Sequence, residues 1–511
     1  MRLTLALPAL RRAGRTAAAG ALAGALALGA AGCENDINVT NPNQPTTETF
    51  WRTAADAQAG LTATYSALLR LGTFVRWQSF AFDGRADVGT SFTPWQELQN
   101  IHKFTQPNLN FDVSRDSWAD NFLLVNRANQ VITYVPDIAM ADTAKARIVG
   151  EAKFLRGLSY FRLVALFGGA PPLITGVPSP TDRPASADSA ALWAHIEQDF
   201  TEAAAALPRQ TMAQTGGRAT AAAAQGMLGK TLLQQRKWQQ AAAALKPIVD
   251  GQLGSYELVP NYATLFRQEG NNSRESVFEV QMGTVTTATG QGVGGLNMAK
   301  MGGPCGPTFC DARPTRWFYQ QFLVDSTVDG RVDPRLDVTF FRYRGDTTMV
   351  YTQSWQRRYG SDTATVYWRK YGQYYAGIND EQWDVPINYK VLRYADVLLM
   401  YAEALNEQGQ PATAAPYVNQ VRARVNLRPI PAGLSQADMR EAILRERLLE
   451  FGFEQQRWLD LGRHNRFGDL ATLRAHDNDF EFFEPGKSHL FPVPQVERDL
   501  NPNIKQNPGW N

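Results

Sequence analysis

The chain has 511 residues, with 51 lysines and arginines against 49 aspartates and glutamates, so its formal net charge at pH 7 is only +2. A nearly neutral chain without a clustered basic face lacks the electrostatic footprint of a nucleic-acid-binding protein, and we expect no such partner. The length is ample for a large hydrophobic core.

The first 33 residues have the layout of a bacterial lipoprotein signal. A positive leader contains Arg2, Arg11, Arg12 and Arg15. The apolar run that follows is shorter than the roughly 20 residues of a membrane-spanning helix, and it ends in small residues before Cys33. We therefore predict a cleaved signal at 1–32 and lipidation of Cys33. Ala30 stands where such signals usually carry leucine, so an ordinary secretion signal is the alternative.

The segment 33–49 is rich in asparagine, proline and threonine, and it predicts a flexible tether. Helical periodicity begins near Phe50 and recurs in pairs up to residue 168. The strongest pattern is EAKFLRGLSYFRLVALF, in which apolar residues occupy adjacent faces. This helix should be buried on most sides and should end at Gly168 and Gly169.

Two later segments share the spacing of helix contacts in tetratricopeptide repeats. The first set is Leu228, Gly229, Leu232, Ala241, Leu245 and Ile248, and the second is Tyr401, Ala402, Leu405, Ala414, Val418 and Val421. In each set a small residue is followed twelve positions later by alanine, which allows two helices to approach closely. The identical offsets favour degenerate helical repeats over two unrelated hairpins.

A region without helical period, at about 255–390, separates these two segments. Its last forty residues contain ten aromatic side chains, about twice the chain average of 11%. Polar residues alternate with the rings, so the pattern favours an aromatic binding surface, while packing of the insert against the helices is the alternative.

Cys305 and Cys310 lie in a glycine- and proline-rich loop of this insert. Outside the cytoplasm a disulfide is favoured over free thiols, and no further ligand at metal-motif spacing accompanies the pair.

No catalytic or metal-binding motif stands out. Gly229, Lys230 and Thr231 resemble the end of a phosphate-binding loop, but the glycine required five positions before Gly229 is Ala224. The five histidines are scattered. Glu446, Glu450 and Glu454 repeat every four residues, and with Arg447, Arg457 and Asp460 nearby they predict an ion network that braces a helix rather than an acid and base. Asp325, Asp329 and Asp333 lack the spacing of a calcium loop.

Several collinear segments resemble the SusD/RagB family of outer-membrane nutrient-binding lipoproteins. In chain order they are FWRTAADAQAGLTATYSALL, GEAKFLRGLSYFRLVALFGGAPPL, GRATAAAAQGMLGKTLLQQRKWQQA, LRYADVLLMYAEALNEQG, VNQVRARVNL, ERLLEFGFEQQRWLDLGR and HLFPVPQVERDLNPNIKQNPGW. The resemblance spans nearly the whole mature chain and is weakest at about 255–390.

The resemblance implies a mainly α-helical fold with a tetratricopeptide-like scaffold and an irregular, aromatic-rich ligand-binding insert. It implies one domain at 50–511, with helical parts at about 50–254 and 391–511 around the insert at 255–390. Members sit on the outer face of the outer membrane, anchored by lipid, and act as a lid over a SusC-like TonB-dependent β-barrel transporter. Their ligands are oligosaccharides or peptides, and no cofactor is implied.

We predict the ligand face from exposed-looking aromatics in the insert and from the turn-rich segment after the first long helix, where the family carries ligand-contacting rings. The predicted residues are Trp77, Asp83, Trp95, Trp317, Trp355, Trp368, Tyr375 and Trp383. We expect a binding protein and not an enzyme. A surface glycoside hydrolase and a helical-repeat assembly protein without a small ligand are the alternatives.

Overall fold

The computed structural model describes residues 47–91, 94–283, 285–286 and 292–510. The chain divides into two compact units, Met1–Arg52 and Thr53–Asn511. The described part of the first unit contains the short helix α1, Thr47–Phe50, so the last residues assigned to the tether are helical. The predicted signal at 1–32 and the lipidation of Cys33 lie outside the described residues.

The second unit is mainly helical, as predicted. Its helices before the insert are α2 Ala54–Ser66, α3 Trp77–Phe82, α4 Gln96–His102, α5 Asp112–Tyr134, α6 Asp142–Phe167, α7 Ser189–Ala206, α8 Met212–Thr215, α9 Ala221–Gln234 and α10 Trp238–Val249. Short helices within the insert are α11 Met298–Gly302, α12 Arg316–Gln321, α13 Arg335–Thr339 and α14 Trp355–Tyr359. The C-terminal helices are α15 Tyr394–Glu407, α16 Pro411–Arg424, α17 Gln436–Glu450, α18 Arg457–Arg463, α19 Leu470–His476 and α20 Gln495–Leu500.

Tighter helical turns connect several of these elements. The π-helical turn is Leu71–Val75, and the 3-10 turns are Ala67–Leu69, Val135–Asp137, Tyr262–Phe266, Gln268–Gly270, Arg466–Gly468 and Asn478–Phe482.

Helix α6 is the central element of the N-terminal part. Phe154, Leu158 and Phe161 are buried together with the neighbouring leucines, as the doubled apolar face predicted. The helix ends at Gly168, whose φ of +60° is a conformation that glycine adopts without steric cost. Helix α6 packs between α5 and α7.

The two predicted repeats are helical hairpins, α9 with α10 and α15 with α16. They pack against each other through α10 and α15, although the insert separates them in sequence. Gly229 explains the close packing of the first hairpin, because a Cβ atom there would lie 2.6 Å from Leu245. A continuous stack therefore runs through α5, α6, α7, α9, α10, α15 and α16.

The strands are short and pair only as two-stranded antiparallel units among the described residues. They are β1 Gly89–Ser91, β2 Ser276–Val280, β3 Val285–Thr286, β4 Gly292–Val293, β5 Ala312–Pro314, β6 Phe340–Phe341, β7 Met349–Val350, β8 Gln353–Ser354, β9 Tyr367–Trp368 and β10 Tyr389–Arg393. The pairs are β1 with β5, β2 with β10, β3 with β4, β6 with β9, and β7 with β8.

The insert has its own small core. Phe341, Val350, Tyr351, Trp355 and Tyr367 form a buried cluster between its short strands and helices. Aromatic rings supply most of this core because the strands contain too few residues to bury a larger aliphatic layer. Across the described part of the chain, no helix is both long and apolar enough to cross a membrane.

Candidate functional site

Three exposed aromatic rings are linked to one arginine, either by direct contacts or through the buried ring of Trp77, and we call this set the aromatic patch. Its members are Arg76, Trp95, Phe309 and Trp383. The three rings are 37%, 50% and 43% exposed, respectively, which is high for such large apolar side chains. Trp95 and Trp383 were predicted from the sequence as ligand residues, whereas Arg76 and Phe309 were not.

Arg76 joins the two halves of the patch. Its guanidinium carbon lies 4.9 Å from the ring centroid of Trp383 and 5.2 Å from that of Trp77. Arg76 also donates hydrogen bonds of 3.1 and 3.2 Å to the side-chain oxygen of Asn297, whose amide nitrogen donates to the carbonyl of Trp383. These contacts hold the guanidinium of Arg76 and the backbone of Trp383 in place.

Trp95 rests on buried rings. It packs edge to face on Trp77 and Phe111, with centroid distances of 5.9 and 5.5 Å. The indole nitrogen of Trp77 in turn donates a 2.9 Å hydrogen bond to Asp116. Trp95 immediately precedes α4, so its backbone is held by that helix.

Phe309 lies in the loop that the disulfide closes. Cys305 and Cys310 are bonded, with a Cα–Cα distance of 4.8 Å, and Phe309 lies between them in sequence. The amide of Phe309 donates to the carbonyl of Lys300 at 3.0 Å, and its ring contacts Trp383 at 5.1 Å. The loop therefore presents Phe309 in a defined position.

The charges of four carboxylates act on the guanidinium of Arg76. Burial lowers the pKa of Arg76, while the charges of Asp384, Asp112, Asp116 and Asp311 act in the opposite direction. Flat apolar rings beside carboxylates and a guanidinium suit a sugar, because rings stack on its apolar faces and the charged groups bind its hydroxyls.

Trp317 lies at a different place, half-buried beside a cavity of about 270 Å³. Its ring stacks on the imidazole of His476 at 3.6 Å, and His476 contacts Asp87 at 2.9 Å. Burial raises the pKa of Asp87, but the charge and hydrogen bonds of Arg457, together with the contact to His476, lower it to about 2. This ionised carboxylate holds the ring stack in place.

Tyr375 is 36% exposed and belongs to another set of contacts. Arg267 lies 4.9 Å from its ring centroid, and its hydroxyl accepts a hydrogen bond from the amide of Gln268 at 3.3 Å. The roles of Trp317 and Tyr375 in ligand binding stay predictions.

Four predicted ligand residues are buried, so the expectation that their side chains face a ligand is wrong for this conformation. Trp77, Asp83, Trp355 and Trp368 are at most 2% exposed. The buried ring of Trp77 packs against the exposed ring of Trp95. Asp83 accepts hydrogen bonds from the backbone amide of Gln455 at 3.0 and 3.1 Å, and burial raises its pKa to about 8.

The two insert tryptophans are buried for packing reasons. Trp355 lies in the small core of the insert. Trp368 stacks on Phe453 with a centroid distance of 4.6 Å and an interplanar angle of 8°. Polar neighbours in sequence suggested exposure, but the insert folds over these rings and onto the C-terminal helices. Burial of a large ring lowers the free energy of the folded state, and this gain exceeds the cost to the neighbouring polar side chains when those side chains still reach solvent.

The three glutamates of α17 and its following turn form the predicted structural ion network. Arg335 donates to Glu446 at 2.6 Å and to Glu450 at 3.0 Å, and Arg393 bridges Glu450 and Glu454 at 2.9 and 2.8 Å. The predicted partners were wrong, because these cations come from remote segments.

The nearby residues named from the sequence pair elsewhere. Arg447 binds Asp396 and Asp460, and Arg457 binds Asp87. The three glutamate carboxylates are at most 2% exposed and are held by cations, which leaves them no contact with a substrate in solution.

Two family models match the chain. The model of the SusD family covers residues 274–510, and a model described as starch-binding associating with outer membrane covers residues 41–233. The SusD-like proteins P2 and P38 of Formosa agariphila are 27% and 25% identical to this chain. The first alignment covers 93% of this chain and 96% of the relative, and the second covers 92% and 95%.

Solved structures share the fold. A SusD superfamily protein from Bacteroides vulgatus superposes with a TM-score of 0.79 at 24% identity, over 90% of this chain and 100% of the other. A laminarin binding SusD-like protein superposes with a TM-score of 0.74 at 27% identity, over the same shares. With both halves matched by family models and the fold shared along most of its length, the chain belongs to the SusD/RagB family.

Proposed function

We propose that this protein is a cell-surface nutrient-binding lipoprotein that captures oligosaccharides at the aromatic patch. The observation that carries the proposal is the patch itself, in which Trp95, Trp383 and Phe309 are exposed around Arg76. The rigid support beneath each ring supports the same reading, because a pre-formed surface loses little conformational entropy on binding.

The relatives favour a glycan over a peptide. One structure that is 27% identical is described as a laminarin binding SusD-like protein. Glucan chains present flat apolar faces bordered by hydroxyls, which match rings flanked by carboxylates. A peptide is the second ligand class and serves as the comparison ligand in the binding test.

The location and the partner follow from the same proposal. The predicted lipid on Cys33 would anchor the protein, and the description of the N-terminal family model as associating with outer membrane supports this location. The protein would then deliver its ligand, as a lid, to a SusC-like TonB-dependent β-barrel transporter. The tether ahead of α2 would give the lid room to swing.

We propose binding without catalysis. Glu446, Glu450 and Glu454 were the best candidates for a catalytic acid and base, and all three form buried ion pairs, which supports this assignment. A glycoside hydrolase would release reducing sugars from a polysaccharide, and an assembly protein would bind no glycan at all. Incubation with a panel of glycans, followed by product analysis, distinguishes these alternatives.

The binding test uses isothermal titration calorimetry with laminarin, starch and a peptide mixture. A stacked ring contributes about 0.5–1.5 kcal/mol, so Trp95→Ala and Trp383→Ala should each weaken glycan binding roughly two- to tenfold. Phe482→Ala is the matched control, because Phe482 is 45% exposed and is not part of the patch. Equal affinities in all four proteins would refute the assignment of the patch.

The partner is tested separately. Affinity purification of the lipidated protein from its outer membrane in mild detergent, followed by mass spectrometry, should recover a large TonB-dependent barrel. Failure to recover one after crosslinking would remove the import role while leaving glycan capture intact.

A further inference from the structure

Three potential metal-ligating side chains from distant parts of the sequence meet beside α4. His102 is the last residue of α4, while Asp477 and Asp479 lie at the turn Asn478–Phe482. The Nε2 atom of His102 is 3.1 Å from Asp477 Oδ2 and 2.9 Å from Asp479 Oδ2. All three atoms lie within 4.8 Å of one another.

The orientation of the imidazole is fixed by its other nitrogen. Nδ1 faces the carbonyl oxygen of Gly84 at 2.5 Å, and a carbonyl only accepts, so Nδ1 carries a proton. In the neutral ring, the lone pair of Nε2 then points at two carboxylates. Histidines that bind metals are commonly oriented in this way, with the second nitrogen donating to a backbone carbonyl.

The buried Nε2 atom of His102 faces two carboxylate oxygens. The side chain of His102 is 1% exposed, and its Nε2 atom has no hydrogen bond of favourable geometry. A metal ion between Nε2 and the two carboxylates would give Nε2 a partner and would compensate the negative charge of Asp477 and Asp479.

The donor set selects the class of metal. One imidazole nitrogen and two carboxylate oxygens suit zinc, whereas calcium and magnesium prefer ligand sets made of oxygen alone. Tetrahedral zinc with ligands at about 2.1 Å spans ligand–ligand edges of roughly 3.4 Å. The observed separations of 2.9 and 3.1 Å need to open only slightly. Asp479 is 26% exposed, so the ion has access to solvent and to a water as fourth ligand.

We propose that His102, Asp477 and Asp479 form a binding site for zinc or a similar divalent transition metal. The ion would link the end of α4 to the C-terminal turn. Trp95 precedes the other end of the same seven-residue helix, so the metal would also secure the helix that positions a ring of the aromatic patch.

The test uses the full-length protein, stripped with a chelator, and zinc alone as the probe. Equilibrium dialysis with elemental analysis should give one tightly bound zinc per chain. Zinc, but not calcium or magnesium, should raise the melting temperature. Asp479→Asn should weaken zinc binding roughly tenfold or more, because it removes a ligand whose partial exposure makes the substitution compatible with folding.

Asp477→Asn is the second variant, and Asp499→Asn is the matched control at an exposed aspartate outside the cluster. Circular dichroism of the metal-free proteins checks that each variant is folded. Equal zinc binding by Asp479→Asn and the wild type would overturn the site. A wild-type protein that binds no zinc tightly would also overturn it.

Discussion

Substitution of Glu450 by glutamine tests whether the buried ion network holds the C-terminal helices to the insert. The network joins five cations to six carboxylates among the described residues, and five of these carboxylates are buried. The cations are Arg335, Lys370, Arg393, Arg422 and Arg424, and the carboxylates are Glu275, Asp333, Glu446, Glu450, Glu454 and the less buried Asp325. Glu450→Gln keeps the shape of the side chain but removes the negative charge that three buried arginines share.

The expected loss of stability is about 3–5 kcal/mol at pH 7, the usual cost of breaking a buried ion pair from one side. Glu450 contacts three arginines, at 3.0 Å for Arg335 and 2.9 Å for Arg393, with Arg424 also bound. Burial raises the pKa of Glu450, but the charges of Arg424, Arg393 and Arg335 outweigh burial and lower it well below its ordinary value of 4.5.

The pH dependence follows from that direction. A carboxylate with a lowered folded-state pKa contributes stability above its unfolded pKa, and the contribution is lost as pH falls towards the folded pKa. The difference in unfolding free energy between the wild type and Glu450→Gln should therefore be full at pH 6–7 and decrease below about pH 4.5.

Urea denaturation followed by tryptophan fluorescence, at pH 7 and pH 4, measures both quantities. Glu257→Gln is the control, because Glu257 forms a surface pair with Arg274 at 2.7 Å and should cost less than about 1 kcal/mol. A loss below about 1 kcal/mol for Glu450→Gln at pH 7, or one that does not change with pH, would refute the reasoning.

Three further substitutions probe other parts of the frame. Burial raises the pKa of Asp83 to about 8. Its contribution to stability is therefore full below about pH 4 and falls by a few kcal/mol, as an order of magnitude, when the pH rises to 8. Asp83→Asn should remove this dependence of the unfolding free energy on pH in denaturation curves. Gly229→Ala should lower the free energy of unfolding by about 1–3 kcal/mol through overpacking against Leu245, which exceeds the ~1 kcal/mol gained in helix propensity. Gly176→Ala is the control and should be nearly neutral, because no atom lies within 4 Å of the added Cβ. Trp355→Ala should cost about 3–5 kcal/mol and leave the glycan affinity of the folded protein unchanged, and a selective loss of affinity would restore its predicted ligand role.

Local periodicity was sufficient to predict the helical frame. The apolar faces of α6 and the matching small residues of the two hairpins are properties of short segments, because a helix repeats every 3.6 residues and records its buried face in sequence. The packing of α10 against α15 could not be predicted from local periodicity, because it depends on the path of the intervening residues 255–390 between the two hairpins.

The aromatic patch was predictable only in part. The sequence indicated Trp95 and Trp383, but it also indicated Trp355 and Trp368, which are buried. Irregular loops carry no period that separates inward from outward positions, so the exposure of a ring depends on which remote segment covers it. Arg76 was missed because its role comes from Trp383, which lies more than 300 residues away in the chain.

The sequence by itself determined the helical character of the frame, the end of α6, the repeat pairs and the family. The helical features depend on residues within a few turns of one another, where spacing alone carries the physical information, whereas the family depends on the order of several such segments along the chain. The tertiary structure decided which rings reach solvent, which cations neutralise Glu450, and that His102 meets Asp477 and Asp479. Those contacts join distant segments, and only the packing of the whole chain brings their side chains within a few ångströms.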